Sequence, residues 1–446
     1  MKVSLLVVSG PHKGQAFTFE KHDVFIVGRA KYSHFHLPRR DKFFSRTHFM
    51  IEVSPPLCRL MDMASTNGTF VNRQRVSEVD LRHNDLITGG DTAIRVKIET
   101  DESDNVTRRT VVTPSSLGPL VATPRRTHIE AADGKAGRHT VAESPSPSVD
   151  DQPSDKPPGV GQTITEDFPQ RLAHFRLIET VGSGGMGVVY KAENERTGEM
   201  VALKCIRPAG VPSRSDFKRF SREASILEEM SHSRIVRLFE QGDADGRLYF
   251  SMEFIDGLNA SRLLAQHGPL SVARAVGLIC QLLDALEYAH SLKFVHRDIK
   301  PENILVEQLS GKDSIKLADF GLARIYQESR LSGLTMHGEI GGSLAFMPPE
   351  QITNFRNVQP ASDLYSVGAT LYNLLTGRYT YDFPKPFNKR ILTILQNEPI
   401  PIRDRRPDIR PDLAQAIHCA LSRDPQRRFV SAKVMRHALL PFTKIS

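Results

Sequence analysis

Between Thr100 and Asp167 the chain has no Phe, Tyr or Trp, while Pro, Ser and Thr accumulate in runs such as Ser144-Pro145-Ser146-Pro147-Ser148 and Lys156-Pro157-Pro158-Gly159. Such a stretch cannot bury enough apolar surface to offset the entropy of ordering it. The 446 residues are therefore expected to fold as two domains, 1–99 and 171–446, joined by a flexible linker over 100–170. A coil of about 70 residues spans roughly 45 Å root-mean-square, so the two domains are free to touch or to separate.

The net charge of +8 and pI near 9.3 invite a nucleic-acid or membrane reading. Counted by region, the charge is +5 in residues 1–99, −4 in 100–170 and +7 in 171–446, so the basic excess sits in the folded domains. Neither domain has a block of five or six consecutive basic residues, which argues against nucleic acid and leaves anionic phosphates as the simpler reason for the charge. Cys58, Cys205, Cys280 and Cys419 are far apart, without the paired spacing of a disulfide framework or zinc site. The apolar run Val3 to Val8 is short and followed by Gly10-Pro11-His12, which suits a strand better than a signal peptide. No uncharged run approaches the roughly 18 residues of a membrane span. A cytoplasmic protein without membrane association is expected.

Residues 1–99 read as all-β: Val3-Ser4-Leu5-Leu6-Val7-Val8, Ala16-Phe17-Thr18-Phe19, Val24-Phe25-Ile26-Val27, His48 to Val53 and Ala93 to Ile98 alternate or are β-branched, with turn residues between them. A small β-sandwich follows. Residues 171–446 open with strand-like segments at Phe175–Val181, Val188–Ala192 and Met200–Ile206. A helix is expected over about Ser215 to Met230, and from Ser271 onward helical patterns dominate, with Val272, Val276, Ile279, Leu283 and Leu286 on one face behind a Ser cap. The expectation is an α+β fold with a small mostly-β lobe and a larger mostly-α lobe.

Gly182-Ser183-Gly184-Gly185-Met186-Gly187 has a spacing that dinucleotide-binding folds share. The β-branched and aromatic Val188-Val189-Tyr190-Lys191 after it makes the loop a connection between two strands, which fits a flap over nucleotide phosphates. Then come Val201-Ala202-Leu203-Lys204, Glu223 in the next helix, His296-Arg297-Asp298-Ile299-Lys300-Pro301-Glu302-Asn303 and Asp319-Phe320-Gly321. In this order and spacing, residues from about 175 to 442 resemble the eukaryotic-like Ser/Thr protein kinases.

The resemblance implies roles. Phosphoryl transfer needs mainly positioning and charge neutralisation. Lys204 would bind the α and β phosphates of ATP and be held extended by Glu223; Asp319 and Asn303 would hold Mg2+ (or Mn2+), which favours hard oxygen ligands; Asp298 would be the base, with Lys300 beside the γ phosphate. Val181, Gly182, Gly184, Gly187, Val189 and Ala202 would line the nucleotide, and Met252-Glu253-Phe254-Ile255 resembles the adenine-binding hinge, with Met252 as gatekeeper and the backbone of Glu253 and Ile255 as partners. Structural supports would be His296, a Glu350–Arg428 pair and Asp363, which anchors the catalytic loop. Ser343 replaces the family's usual Thr and keeps a hydroxyl that could bridge Asp298 and Lys300. Between Asp319 and Glu350, Ser332 and Thr335 are candidate autophosphorylation sites whose phosphate would pair with Arg297.

In the first domain, Gly28-Arg29, Ser45-Arg46-Thr47-His48 and Ser65-Thr66-Asn67-Gly68-Thr69 are unremarkable singly, since Asn-Gly is a common hairpin turn. In this order within about 100 residues of β pattern they resemble the forkhead-associated (FHA) domain, a phosphothreonine reader. Arg29 would offer a planar donor fork to phosphate, Ser45 and Thr66 hydroxyls, Arg46 a second cation and Asn67 a hydrogen bond to the peptide backbone, while His48 braces the loops. The ligand would be a phosphorylated threonine of the chain's own linker, where Thr163 and Thr165 lie near Glu166 and Asp167, or an external phosphoprotein. Docking on the chain's own threonines could occur in cis or between chains, the latter giving a transient homodimer. The expected activity is a non-specific protein Ser/Thr kinase acting on protein substrates. The alternative is a pseudokinase scaffold in which the FHA domain does the work; it is disfavoured because Lys204, Glu223, Asp298, Asn303 and Asp319 are all present.

Overall fold

The computed structural model describes residues 2–38, 41–99, 170–184, 187–206, 230–244, 247–309, 311–319, 343–354 and 358–444. Residues 100–169 of the 100–170 linker, residues 215–229 of the expected helix, Glu223, Ser332 and Thr335 lie outside the described residues. Met1–Asp101 and Pro169–Ser446 form one compact unit.

The amino-terminal portion is the expected sandwich. One sheet runs, in spatial order, Ala16–Phe19, Lys2–Ser9, Thr92–Glu99, Leu86–Gly89, Thr69–Val71 and Gln74–Val76; the other runs Phe35–His36, Asp23–Gly28, Phe49–Ser54, Leu57–Asp62 and Glu78–Asp80. The period of two is plain in Lys2–Ser9, where Val3, Leu5 and Val7 are buried between the sheets and Ser4 and Leu6 are only half-buried. Phe25, Phe35, Phe49, Ile51 and Leu60 meet Leu5, Ile94 and Val96 in the core. Each such side chain contributes about 1.5–3 kcal/mol on burial. Two strands break the alternation: Val24 to Gly28 are all buried, as are Phe49 to Ser54. Their second faces are therefore covered as well.

The carboxy-terminal portion has the two expected lobes. Its small lobe is a sheet in the order Arg171–Leu172, Phe175–Gly184, Gly187–Asn194, Met200–Ile206, Arg247–Glu253 and Leu238–Ala244, antiparallel throughout. Its large lobe is built on two helices. Val272–Ser291 starts where the Ser271 hydroxyl accepts from the Arg274 N–H, and it buries Val276, Ile279, Leu283 and Leu286. Pro360–Thr376 is buried at every position from Ser362 to Leu375 and stops at Gly377, whose φ of +68° lets the chain turn left-handed. A small sheet of Leu258–Asn259, Ile304–Leu309 and Lys312–Leu317 lies in the same core. Its strand Ile304–Leu309 takes up the chain directly after Asn303, and Lys312–Leu317 ends two residues before Asp319.

Free thiols were expected, and Cys58, Cys205, Cys280 and Cys419 are all unpaired. Burial pushes Cys58 up to about 12 and Cys205 and Cys280 up to about 11, so these sulfurs stay protonated and unreactive. Among the described residues no helix is long and apolar enough to cross a membrane.

Candidate functional site

The catalytic-loop candidates meet in one place. The turn Pro301–Asn303 brings Asn303 back on Asp298, so that its Nδ2 donates to the Asp298 carbonyl at 2.7 Å and to Asp298 Oδ2 at 3.1 Å. Lys300 Nζ lies 2.9 Å from the same carboxylate and donates to Ser343 Oγ at 2.6 Å. Burial opposes the charge on Asp298, but Lys300 and the hydrogen bonds outweigh it and hold the carboxyl below its ordinary range. Burial likewise opposes the charge on Lys300, and Asp298 overcomes it, raising the ammonium. Both groups stay charged at neutral pH.

The loop is fixed from below. Asp363, 1% exposed, accepts from the His296 and Arg297 N–H groups, each at 2.9 Å, and its Oδ2 lies 2.8 Å from His290 Nε2. Arg297 has a φ of +70°, unfavourable for a long side chain, and is kept there by Asp363 on its N–H and by Gln351, which donates to its carbonyl at 2.7 Å. His296 is fully buried; its Nδ1 accepts from the Asp298 N–H, so Nε2 carries the hydrogen and donates to the Ala318 carbonyl. Sequence reasoning missed Gln351, for which the pattern held no signal.

Across the cleft, Lys204 is 5% exposed and its Nζ lies 2.7 Å from Asp319 Oδ1. Asp319 takes a φ of +57°, which Asp tolerates better than most residues. The partner expected for Lys204, Glu223, is outside the described residues. Above them, Gly182 and Gly184 pair with Val189 and Gly187 across the hairpin, and Val189 pairs with Lys204. A Cβ on Gly187 would lie 1.9 Å from the Cys205 carbonyl oxygen, so no other residue fits there. Ala202 pairs with Met252, placing the two beside each other, and Val181 lies exposed within the hairpin's first strand, Phe175–Gly184. Glu350 and Arg428 form a bidentate pair at 2.6 and 2.8 Å, with the Arg428 side chain fully buried.

A second cluster gathers on the sandwich loops. A Cβ on Gly28 would meet the Arg46 carbonyl at 2.3 Å, so this close approach sets Arg29, whose Nε donates to the Phe44 carbonyl, against the 43–48 loop. Ser45 Oγ accepts from the Thr66 N–H at 3.0 Å and lies 3.3 Å from Thr66 Oγ1, while Asn67 Nδ2 donates to the Phe43 carbonyl at 2.7 Å. His48 is fully buried between the loops; Nδ1 accepts from the Ser45 N–H at 3.1 Å and Nε2 donates to the Gly68 carbonyl at 3.2 Å. Arg46, Thr66 and Asn67 are exposed at the rim. Asp62 was missed. Its carboxylate takes the Ser65 N–H and hydroxyl and the Thr69 hydroxyl at 2.9, 2.5 and 2.6 Å, tying down the whole Ser65–Thr69 loop. An Asp three residues ahead of a Ser-Thr-Asn-Gly run, placed to accept from the N–H at i+3, is the local signal that could have found it.

Burial lowers the pKa of both His48 and His296. The unfolded chain takes up these protons as pH falls through about 6.5, the folded chain only further down. Stability is thus lost as pH falls below about 6.5, by up to about 1.4 kcal/mol per pH unit for each histidine. Thermal melts between about pH 7 and pH 5 should show Tm falling toward acid; a flat or rising Tm would contradict the buried neutral rings.

The protein kinase domain model matches residues 175–440, more than half of the chain. The chain belongs to the protein kinase family. Within this kinase, the FHA domain model matches residues 25–90. The serine/threonine-protein kinase PknJ of Mycobacterium tuberculosis is 36% identical over 270 residues, 60% of this chain and 45% of that protein. The serine/threonine-protein kinase pkn3 of Myxococcus xanthus is 34% identical over 286 residues, 63% of this chain and 50% of that protein. The chain thus spans about half the length of these curated relatives. A crystal structure of Rad53 in complex with AMP-PNP matches over 99% of this chain and 100% of that chain, at 22% identity and a TM-score of 0.49.

Proposed function

We propose that the kinase transfers the γ phosphoryl of ATP to Ser or Thr hydroxyls of proteins, and that its FHA domain recruits phosphothreonine proteins. The observation that carries the first half is the meeting of Asp298, Lys300, Asn303 and Ser343 opposite the Lys204–Asp319 pair. The domain bounds we assign are 1–99 for the FHA domain, 100–170 for the linker and 171–446 for the kinase.

The residues fit ATP and Mg2+. Asn303 has its Nδ2 committed to Asp298, which leaves Oδ1 as the atom that would serve as an oxygen ligand together with the Asp319 carboxylate. Mg2+, when bound, would neutralise phosphate charge between them. Lys204 would move from Asp319 toward the α and β phosphates, and Gly182, Gly184 and Gly187 leave the backbone room to approach them. Met252, Ala202, Val181 and Val189 would line adenine. The Glu253 N–H is committed to the Arg237 carbonyl and the Ile255 carbonyl to the Gly257 N–H, so adenine would pair with the Glu253 carbonyl and the Ile255 N–H.

Asp298, ionised at neutral pH, would orient the acceptor hydroxyl and accept its proton as the new O–P bond forms and the bond from the γ phosphorus to the bridging oxygen breaks, releasing ADP. Lys300 would balance the γ phosphate, and Ser343 would hold Lys300 against Asp298. Autophosphorylation at Ser332 or Thr335 remains our proposal for activation. At the FHA rim, Arg29 and Arg46 would take the phosphate with Ser45 and Thr66, and Asn67 the peptide backbone. The ligand would be the chain's own linker, in cis or across a transient homodimer, or an external phosphoprotein. The unpaired, protonated thiols support a reducing, cytoplasmic setting.

Incubation with labelled ATP, Mg2+ and a generic protein substrate should yield phosphoserine or phosphothreonine, and phosphothreonine peptides should bind the same protein but not its Arg29→Ala variant. No label transfer by the unmutated protein would refute the kinase reading in favour of the scaffold. Equal affinity for phosphorylated and unphosphorylated peptides would refute the reader.

A further inference from the structure

The covered second face of the FHA sheet has a specific occupant. Val24, Ile26, Met50, Met61 and Met63 from that face form one buried cluster with Leu344, Ile352, Tyr381, Ile391, Ile394 and Leu395 of the kinase. The helix Phe387–Gln396 supplies the last three, at the i, i+3, i+4 spacing of one helical face. Polar contacts rim the patch. His34 Nδ1 accepts from the Ile26 N–H, so Nε2 donates to the Thr353 carbonyl at 2.5 Å; Asn388 Nδ2 donates to the Asp62 carbonyl at 2.8 Å; Arg46 Nη2 donates to Gln396 Oε1 at 3.2 Å.

Two of these rim contacts involve the phosphate-reading loops themselves. Asp62 holds the Ser65–Thr69 loop with its carboxylate while its carbonyl is engaged by Asn388. Arg46 stands at the mouth of the cluster with Ser45, Thr66 and Asn67, and its guanidinium is drawn to Gln396. A phosphate has a far stronger claim on that guanidinium than a neutral amide oxygen. Three methionines on the docked face suit a contact that can open and reseat, since the thioether chain adapts its packing.

We propose that the outer face of the FHA sheet is a docking surface for the kinase's own helix Phe387–Gln396, and that phosphothreonine binding weakens this docking by taking Arg46 from Gln396. The docked face reaches Leu344 and Ile352, in the stretch that closes the activation segment. Ligand binding at one domain thereby reports to the segment that governs the other. The linkage, though not the docking, rests on the phosphothreonine reading proposed above. Because linkage is reciprocal, undocking must tighten peptide binding by the same factor that peptide weakens docking.

The docking is tested on the whole chain with a protease site inserted between Gly134 and Lys135. After cleavage the two fragments should co-elute in gel filtration, and Ile394→Asp on one side or Met50→Asp on the other should separate them. Separation of the unmutated fragments, or co-elution in both variants, overturns the docking. For the linkage, a phosphothreonine peptide selected from a degenerate library is titrated into the uncut protein. Gln396→Ala and Ile394→Asp should bind it about two- to tenfold more tightly than the unmutated chain, the range one exposed hydrogen bond supports. Equal affinity in the three proteins overturns the linkage. Absence of binding in all three overturns the phosphothreonine reading and the linkage with it, while gel filtration still decides the docking.

Discussion

Asp298→Asn should lower kcat for phosphoryl transfer by about 10²–10⁴-fold, the usual worth of a positioned general base. The change is nearly isosteric, so Asn303, Lys300 and Ser343 keep their places around it, but the amide can neither take the acceptor's proton nor balance Lys300. ATP binding should be little changed, because Lys204 and Asp319 are untouched. The pair of measurements is steady-state phosphorylation and nucleotide titration on the same preparation. A kcat within a few-fold of the unmutated protein would remove Asp298 from its role and reopen the scaffold reading.

The largest effect on stability is expected from Glu350→Ala. Arg428 is fully buried at its side chain, and Glu350 neutralises it through two hydrogen bonds. Removing one partner of such a pair leaves an uncompensated buried charge and costs about 3–5 kcal/mol. The guanidinium also donates to the Ser422 and Ala361 carbonyls and lies over the Tyr365 ring, so it cannot swing out to water without losing those contacts. Chemical denaturation should report the loss, with the Arg428→Ala, Glu350→Ala double variant less destabilised than the sum of the single ones. A change below about 1 kcal/mol would mean that the carbonyls alone carry the charge.

The juxtaposition of Asp298, Lys300 and Asn303 was legible in the sequence because the family's motif ties residue types to short, fixed spacings. Asp298, Lys300 and Asn303 fall within one loop and turn, and their mutual contacts follow from that local geometry. The sandwich was legible because strands such as Lys2–Ser9 alternate. What escaped was long-range. The 2.7 Å approach of Lys204 to Asp319 joins residues more than a hundred positions apart, and Gln351 reaches the Arg297 carbonyl from a helix with no motif of its own. The interdomain contact did leave a trace: Val24-Phe25-Ile26-Val27 is a continuous apolar run in a strand of a small sandwich sheet, paired antiparallel with Phe49–Ser54, where one face is ordinarily polar. A run apolar on both faces calls for a second layer of packing, here supplied by Ile391, Ile394 and Leu395.

Asp363 grips two consecutive amides of the His296–Asn303 loop from a helix buried at every position from Ser362 to Leu375. The loop thus has little adjustment of its own, and its backbone copies the seating of that helix. A repacking that moves Asp363 is translated into a displacement of the loop that carries Asp298. Anyone wishing to retune the acceptor geometry would have to work on the foundations, leaving the loop sequence as it is.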